Sequence, residues 1–328
     1  MTLPDIIGMI GMRYITAFNI LGVVLFTFGG LAVIITVLLF TDTLRHIIKN
    51  APRAVKTHSA FVLSVYPVVA IATYCAVIVP RAQLLAEAVT QGMFMACLYQ
   101  LYCLLVAYCG GEAELITSVK PKSLNMKVPP CCCYPCCLLP QLTVTKKHLM
   151  FLRLSVLQLP VIQGLLYMVL LVMWADEESL YNVNYMYFQP IVITSILFGV
   201  WGIIMTMKML AEPLKDYLPQ GKFIVLQLVL LFAKFQGIIA KVVVWTGGVT
   251  CKPPITASVY TNLVYNSVML TEMVILGFFA RLLYKRELPT AVTTSSPPNI
   301  QNQICVISDL ANKTNQKEGG VVNATFVN

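Results

Sequence analysis

Seven blocks of mainly apolar residues, bounded by charged or turn residues, fill most of this 328-residue chain. A helix needs about 20 mainly apolar residues to cross the roughly 30 Å hydrocarbon layer of a bilayer, and each block is long enough. Only 11% of the residues are charged, whereas soluble domains carry about 25%. The sequence therefore predicts an all-α membrane protein, a bundle of seven transmembrane helices, and excludes a soluble globular enzyme. The predicted spans are Ile15–Phe40, Ser59–Val79, Leu84–Tyr108, Leu154–Trp174, Pro190–Ala211, Phe223–Val244 and Leu263–Leu283.

The distribution of Lys and Arg predicts how the chain is oriented. Eighteen of the 23 basic residues follow the first, third, fifth or seventh block. The opposite connections hold only Arg13, Arg81 and Lys252, together with the acidic run 176–178. Because basic residues stay on the cytosolic side, we expect the N-terminus outside and the C-terminus in the cytosol. The net charge of +9 then forms a cytosolic band beside anionic lipids, and no nucleic-acid site is predicted.

This orientation divides the chain into three parts. Residues 1–14 are predicted to be a short extracellular N-terminus, and residues 15–288 a seven-helix transmembrane domain with a Cys-rich cytosolic loop at 110–153. The polar residues 289–328 are predicted to be a disordered cytosolic tail. The tail has N-x-[ST] sequons at Asn312 and Asn323, which we expect to stay unglycosylated because they would face the cytosol.

Seven helices with the N-terminus outside are also typical of receptors, but receptor motifs are missing. A rhodopsin-like receptor ends its third helix with D-R-Y and has N-P-x-x-Y in its seventh. Here the third block ends at Tyr108-Cys-Gly-Gly-Glu112, and the seventh contains Asn262-Leu-Val-Tyr-Asn266. No H-E-x-x-H, G-x-S-x-G or P-loop pattern occurs, so no enzyme activity, metal or cofactor is predicted. A signalling receptor and an intramembrane lipid-modifying enzyme remain the alternative hypotheses.

Five of the eleven cysteines cluster in the loop between the third and fourth blocks. The predicted cytosolic side is reducing, so disulfides are not expected there. Basic residues and two leucines flank the cluster, which favours attachment of fatty acyl chains at the membrane surface. A metal site has only one well-spaced pair and no nearby histidine, and an unmodified loop is the third possibility. The lipidation candidates are Cys131, Cys132, Cys133, Cys136 and Cys137.

Several short motifs occur in a characteristic order along the chain. Pro80-Arg81 follows the second block, Gly110-Gly111-Glu112-Ala113 follows the third, and the Cys cluster precedes Lys146-Lys147. The order of these motifs resembles the alpha subunit family of the organic solute transporters. The segments 270–272 and 281–286 are also similar, so the resemblance covers roughly residues 51–287. It implies facilitated, bidirectional movement of amphipathic organic anions such as bile acids and conjugated steroids across the plasma membrane. It also implies a partner, which could be a small single-span beta subunit or a second copy of the chain.

Four ionisable residues inside predicted spans do not belong to the cytosolic band: Glu87, Lys234, Lys241 and Glu272. A charge at mid-bilayer costs about 2.5–3.5 kcal/mol on insertion scales, so such residues are functional candidates. Counting depth along each span places Lys234 level with Glu272, and Lys241 level with Glu87. The sequence therefore predicts two opposite-charge pairs if the helices are neighbours.

These charges have two possible roles. Lys234 and Lys241 are seven residues apart and share a helix face, where they could attract an anionic headgroup beside Gln236. Phe232 and Phe235 would then contact the apolar body of the substrate. Alternatively, the pairs only hold helices together. The substrate-binding candidates are Lys234, Lys241, Gln236, Glu272, Glu87 and Gln91.

Further glutamines and prolines interrupt the apolar blocks. Gln91 lies one turn after Glu87, and each of Gln100, Gln158 and Gln163 is expected to form an interhelical hydrogen bond. Pro67 and Pro160 free backbone carbonyls within spans, which predicts kinks for packing or for movement.

Overall fold

The structure is a computed structural model. It describes the backbone of residues 3–119, 123–124, 142–143, 146–176, 178–211, 214, 217–246 and 257–286. The side chains that it describes are those of residues 23–116, 146–176, 186–211, 214, 217–246 and 259–286.

Seven helical segments are long and apolar enough to cross a membrane, and each coincides with a predicted block. The prediction of an all-α bundle with seven spans is therefore confirmed. Most helices extend beyond the predicted boundaries, because polar residues continue the helix past the apolar block. The helices are α1 (Leu3–Asn50), α2 (Arg53–Leu63), α3 (Val65–Ile78), α4 (Gln83–Tyr108), α5 (Glu112–Val119), α6 (Lys146–Asp176), α7 (Glu178–Met209), α8 (Pro219–Trp245) and α9 (Ala257–Lys285). A 3-10 turn at Pro80–Ala82 precedes α4, and β1 (Ser123–Leu124) pairs antiparallel with β2 (Leu142–Thr143).

The second span is divided into α2 and α3 at Ser64. Pro67 has no N–H to donate to the carbonyl of Leu63, and its ring crowds that carbonyl. The helix breaks at this point, and the Ser64 hydroxyl donates to the Phe61 carbonyl at 2.6 Å. The predicted kink at Pro67 is thus confirmed as a break, whereas Pro160 lies inside the continuous helix α6.

Helix α4 lies at the centre of the bundle and contacts α2, α3, α6, α7 and α8. Its leucines at positions 98, 101, 104 and 105 are almost completely buried. Helix α9 packs against α1, α3 and α8, while α6 and α7 form a second tightly packed pair. Large apolar side chains remain exposed on the outer faces of α1, α6 and α8, as expected for surfaces that contact lipid tails.

The turn after α4 requires glycine. Gly110 and Gly111 have φ angles of 82° and 114°, a region that side-chain-bearing residues rarely adopt. The Gly111 N–H donates to the Val106 carbonyl, and the Gly110 N–H donates to the Ala107 carbonyl. This is the Schellman arrangement that satisfies the last carbonyls of a helix. The glycine pair in the family-like motif therefore ends α4 and turns the chain into α5.

Three glutamines inside the apolar blocks form hydrogen bonds to neighbouring helices. Gln100 bonds to His58 at 2.7 Å, and Gln158 bonds to both the hydroxyl and the carbonyl of Ser195. The Gln163 amide donates to the Val192 carbonyl at 3.3 Å. The predicted interhelical role is confirmed for these three glutamines.

A close approach between α6 and α7 depends on Gly199. A Cβ at this position would overlap the side chain of Leu159. We expect Gly199→Ala to lower stability by about 1–3 kcal/mol, because the overlap forces the helices apart. Gly164→Ala is the matched control, since no atom lies within 4 Å of its Cβ position. Thermal unfolding of the purified variants measures the difference, and equal midpoints for the two variants would contradict this account of the interface.

Candidate substrate site between three helices

Polar side chains lie along the facing stretches of α4, α8 and α9, from the end where α4 and α9 begin to beyond the middle of α8. On α4, Gln83, Glu87 and Gln91 are spaced four residues apart, so they form one stripe along the helix. On α8, Gln227, Lys234 and Lys241 are spaced seven apart and also share a face. Four other polar side chains on α8 and α9 lie beside them. We call all ten side chains the polar cluster: Gln83, Glu87, Gln91, Gln227, Lys234, Gln236, Lys241, Tyr265, Asn266 and Glu272.

Three side-chain contacts connect the helices within the polar cluster. The buried Asn266 on α9 donates to the Gln83 side-chain oxygen on α4 at 2.7 Å. The Gln236 amide on α8 donates to the Glu272 carboxylate on α9. The Tyr265 hydroxyl donates to the Ala233 carbonyl at 3.4 Å, and both Glu87 and Glu272 lie within electrostatic range of Tyr265. Among the predicted candidates, Gln236 and Glu272 are thus in direct contact, and Glu87 lies near both Tyr265 and Lys234.

The charge pairing differs from the pairing that depth alone predicted. Glu272 accepts a hydrogen bond from Gln236, and the charged side chains within electrostatic range of Lys234 are Glu87 and Lys241. Positions two apart on a helix point about 200° away from each other. Gln236 therefore faces α9, while the half-buried Lys234 faces the Glu87 stripe of α4. Depth gives the level of a residue but not the direction in which it faces.

Several buried atoms of the polar cluster have hydrogen-bonding capacity that the described part of the chain does not use. These atoms are the amide nitrogen of Gln91, the side-chain oxygens of Gln227 and Gln236, and the second carboxylate oxygen of Glu272. Leaving such a group without a partner costs about 1–3 kcal/mol. The polar cluster therefore combines an intramembrane cation with unpaired donors and acceptors.

The apolar neighbours of the polar cluster divide between two surfaces. Phe232 packs against the hydrophobic core, whereas Phe235 is 61% exposed. Phe235 shares its exposed face with Leu231, Ile238 and Val242. This face is open to the lipid side of α8, so an apolar body could be accommodated there without rearrangement of the core.

Sequence analysis missed one further cation and four members of the polar cluster, which are Gln83, Gln227, Tyr265 and Asn266. Gln227 could have been found from its heptad spacing with Lys234 and Lys241. Gln83 and Asn266 lie near predicted span ends, where polar residues are ordinary. Lys222, which the sequence places in the exposed cytosolic band, is only 5% exposed. It lies four residues before Leu226 on the buried face of α8, and that spacing was the available indication.

Two predicted features, the lipidation sites and the polar tail, lie outside the described residues. The five lipidation candidates at 131–137 lie outside the described residues, as does the tail from residue 289. Among the described side chains, no group of three or more His, Cys, Asp or Glu residues is arranged to hold a metal ion.

Comparisons with known proteins agree on one family. The family model described as "Organic solute transporter Ostalpha" matches residues 24–288. An organic solute transporter alpha-like protein of Drosophila melanogaster is 26% identical over 78% of this chain and 78% of its own length. Organic solute transporter subunit alpha of Danio rerio is 24% identical, covering 82% of this chain and 84% of the relative. The Bos taurus subunit alpha is 22% identical over 80% and 77%. No solved structure matches the chain.

Proposed function

The chain belongs to the organic solute transporter alpha family, and from this premise we propose that it moves amphipathic organic anions across the plasma membrane by facilitated diffusion. Bile acids, conjugated steroids and related lipids are the proposed substrates. The observation that carries the proposal is the position of Lys234. It is a half-buried cation between three helices, next to donors and acceptors that have no partner among the described residues.

The polar cluster supports a simple exchange of partners on Lys234. In the empty protein, Glu87 lies within electrostatic range of Lys234 and would offset its charge within the membrane. An incoming sulfonate or carboxylate would take the place of Glu87, since both are anions that accept hydrogen bonds from an ammonium group, and Lys241 would then offset the charge of Glu87. Gln91 and Gln236 would bind the polar substituents of the substrate, and Lys241 would attract the anion from the aqueous side.

This exchange explains why no coupling ion is needed. A carrier that works by facilitated diffusion must return empty, and an uncompensated lysine in the membrane would oppose that step. Glu87 keeps Lys234 compensated when no substrate is bound. The direction of net transport is then set by the substrate gradient alone.

Three further features support the proposed membrane setting of the chain. The polar cluster opens toward the end of the bundle that the distribution of Lys and Arg predicts to be extracellular. Relatives are named subunit alpha, which supports a partner chain such as a single-span beta subunit, or a second copy of this chain. We also propose that Cys131, Cys132, Cys133, Cys136 and Cys137 carry fatty acyl chains that hold their loop at the membrane.

Uptake of labelled taurocholate by cells that express the chain tests the proposed function. Uptake should saturate, and removing the sodium gradient or the proton gradient should leave the rate unchanged. Unlabelled taurocholate preloaded into the cells should accelerate entry of the labelled form. Surface expression without uptake above that of control cells would contradict the proposal, as would uptake that collapses with either ion gradient.

A further inference from the structure

A second buried cation lies at the opposite end of the bundle from the polar cluster. Lys222, in the first turns of α8, is 5% exposed. Its ammonium donates to the Tyr108 hydroxyl at 2.7 Å and lies 4.7 Å from the ring centroids of both Tyr108 and Tyr284. The Tyr217 ring packs against Tyr108 at a centroid distance of 4.8 Å. We call Lys222, Tyr108, Tyr217 and Tyr284 the tyrosine cage.

The charge of Lys222 is compensated only in part by its surroundings. No carboxylate among the described side chains is within ion-pair distance of Lys222. Each desolvated cation–π contact contributes up to about 2 kcal/mol, whereas burying an ion costs several kcal/mol. An ammonium group has three donor hydrogens, and one of them is used by Tyr108. The tyrosine cage therefore retains positive charge that an anion would stabilise.

An independent observation on Tyr284 points to a ligand. Tyr284 is only 9% exposed, yet its hydroxyl has no hydrogen-bond partner in the described part of the chain. The Tyr108 hydroxyl, in contrast, bonds to Lys222 and to Ser59. A buried tyrosine usually satisfies its hydroxyl, because leaving it unpaired costs about 1–3 kcal/mol. An anion bound to Lys222 would supply an acceptor for the Tyr284 hydroxyl as well.

We propose that the tyrosine cage is a second binding site, which takes the carboxylate or sulfonate headgroup of an amphipathic organic anion through Lys222 and the Tyr284 hydroxyl. The proposal rests on the proposed function, because the substrate class is the same. It adds that α8 carries two cationic sites for the substrate, Lys222 in its first turns and Lys234 near its middle. A flat, apolar substrate body would lie against the tyrosine rings, which offer aromatic faces.

Equilibrium binding of labelled taurocholate to the purified full-length chain in lipid nanodiscs tests this site. Wild-type protein should bind two molecules per chain. Lys234→Gln and Lys222→Gln should each reduce this to one, and the double variant should bind none. Lys222→Arg should keep the second site, because arginine preserves the charge and the aromatic contacts. Lys208→Gln, which removes an exposed lysine at the end of α7, is the matched control and should bind two molecules.

Tyr284→Phe separates binding from a structural role. The substitution removes a hydroxyl without a partner in the described structure, so it should not lower the thermal unfolding midpoint. It should weaken binding at the second site by roughly threefold to tenfold, the usual effect of losing one hydrogen bond.

An unchanged affinity in Tyr284→Phe, or two molecules still bound by folded Lys222→Gln, would overturn the proposal. If wild type binds one molecule and only Lys234→Gln abolishes this binding, the second site would be overturned, but the proposed function would not be contradicted. No taurocholate binding by the wild type would overturn both.

Discussion

Replacing Lys234 with glutamine is expected to reduce taurocholate uptake by roughly tenfold to a hundredfold at equal surface expression. Glutamine keeps most of the side-chain length but loses the charge, and a hydrogen bond to a charged group contributes about 1.5–3 kcal/mol. Glu87 would also be left without its cation in the membrane. Lys234→Arg should retain a substantial part of the activity, because it keeps a cation at the same depth.

Uptake of labelled taurocholate by surface-labelled cells measures this effect. Lys208→Gln is the matched control, since it removes an equal charge from an exposed position at the end of α7 and should leave uptake within about twofold of wild type. Wild-type uptake by Lys234→Gln would show that this lysine has no part in handling the anion. The polar cluster would then be a set of contacts that only hold the helices together.

Replacing Glu87 with glutamine is expected to lower the KM and the maximal rate of uptake together, each by about tenfold. Without the competing carboxylate, the substrate anion binds Lys234 more tightly, and tenfold corresponds to about 1.4 kcal/mol. The empty carrier must then move with an uncompensated lysine, which slows its return. Asp176→Asn, an exposed acidic position at the end of α6, should change neither parameter.

The double variant Glu87→Gln/Lys234→Gln makes the test of coupling sharper. If the two residues compensate each other, the empty carrier of the double variant has no isolated charge. The change in the free energy of transport for the double variant should then deviate from the sum of the changes for the two single variants. Additive effects in the double variant, or a Glu87→Gln variant with a raised KM, would show that Glu87 contacts the substrate or serves packing. It would then not exchange places with the anion.

The spans and the interhelical glutamines could be predicted from sequence because each depends on local composition. About 20 apolar residues in a row have few alternatives to crossing the bilayer, and a glutamine among them needs a partner. Gln158 and Gln163 found such partners on α7, as expected. The break at Ser64 also follows from a local cause, the missing N–H of Pro67.

The pairing within the polar cluster could not be predicted because it depends on which helices are neighbours. Depth placed Glu272 level with Lys234, but the rotation of α8 turns Gln236 toward α9 and Lys234 toward α4. Lys222 was assigned to the cytosolic band because it lies between the fifth and sixth predicted spans, just before Phe223. Lys222 shares a helix face with the buried Leu226 and Val229 of α8, so it faces the interior of the bundle.

Counterflow in proteoliposomes tests most directly whether this chain carries organic anions through the polar cluster. The full-length chain is purified with any subunit that remains bound to it, reconstituted, and preloaded with unlabelled taurocholate. Labelled taurocholate should accumulate transiently in wild-type vesicles without any ion gradient, and it should not accumulate in Lys234→Gln vesicles. An absence of counterflow in wild-type vesicles, or equal counterflow in both preparations, would contradict the account.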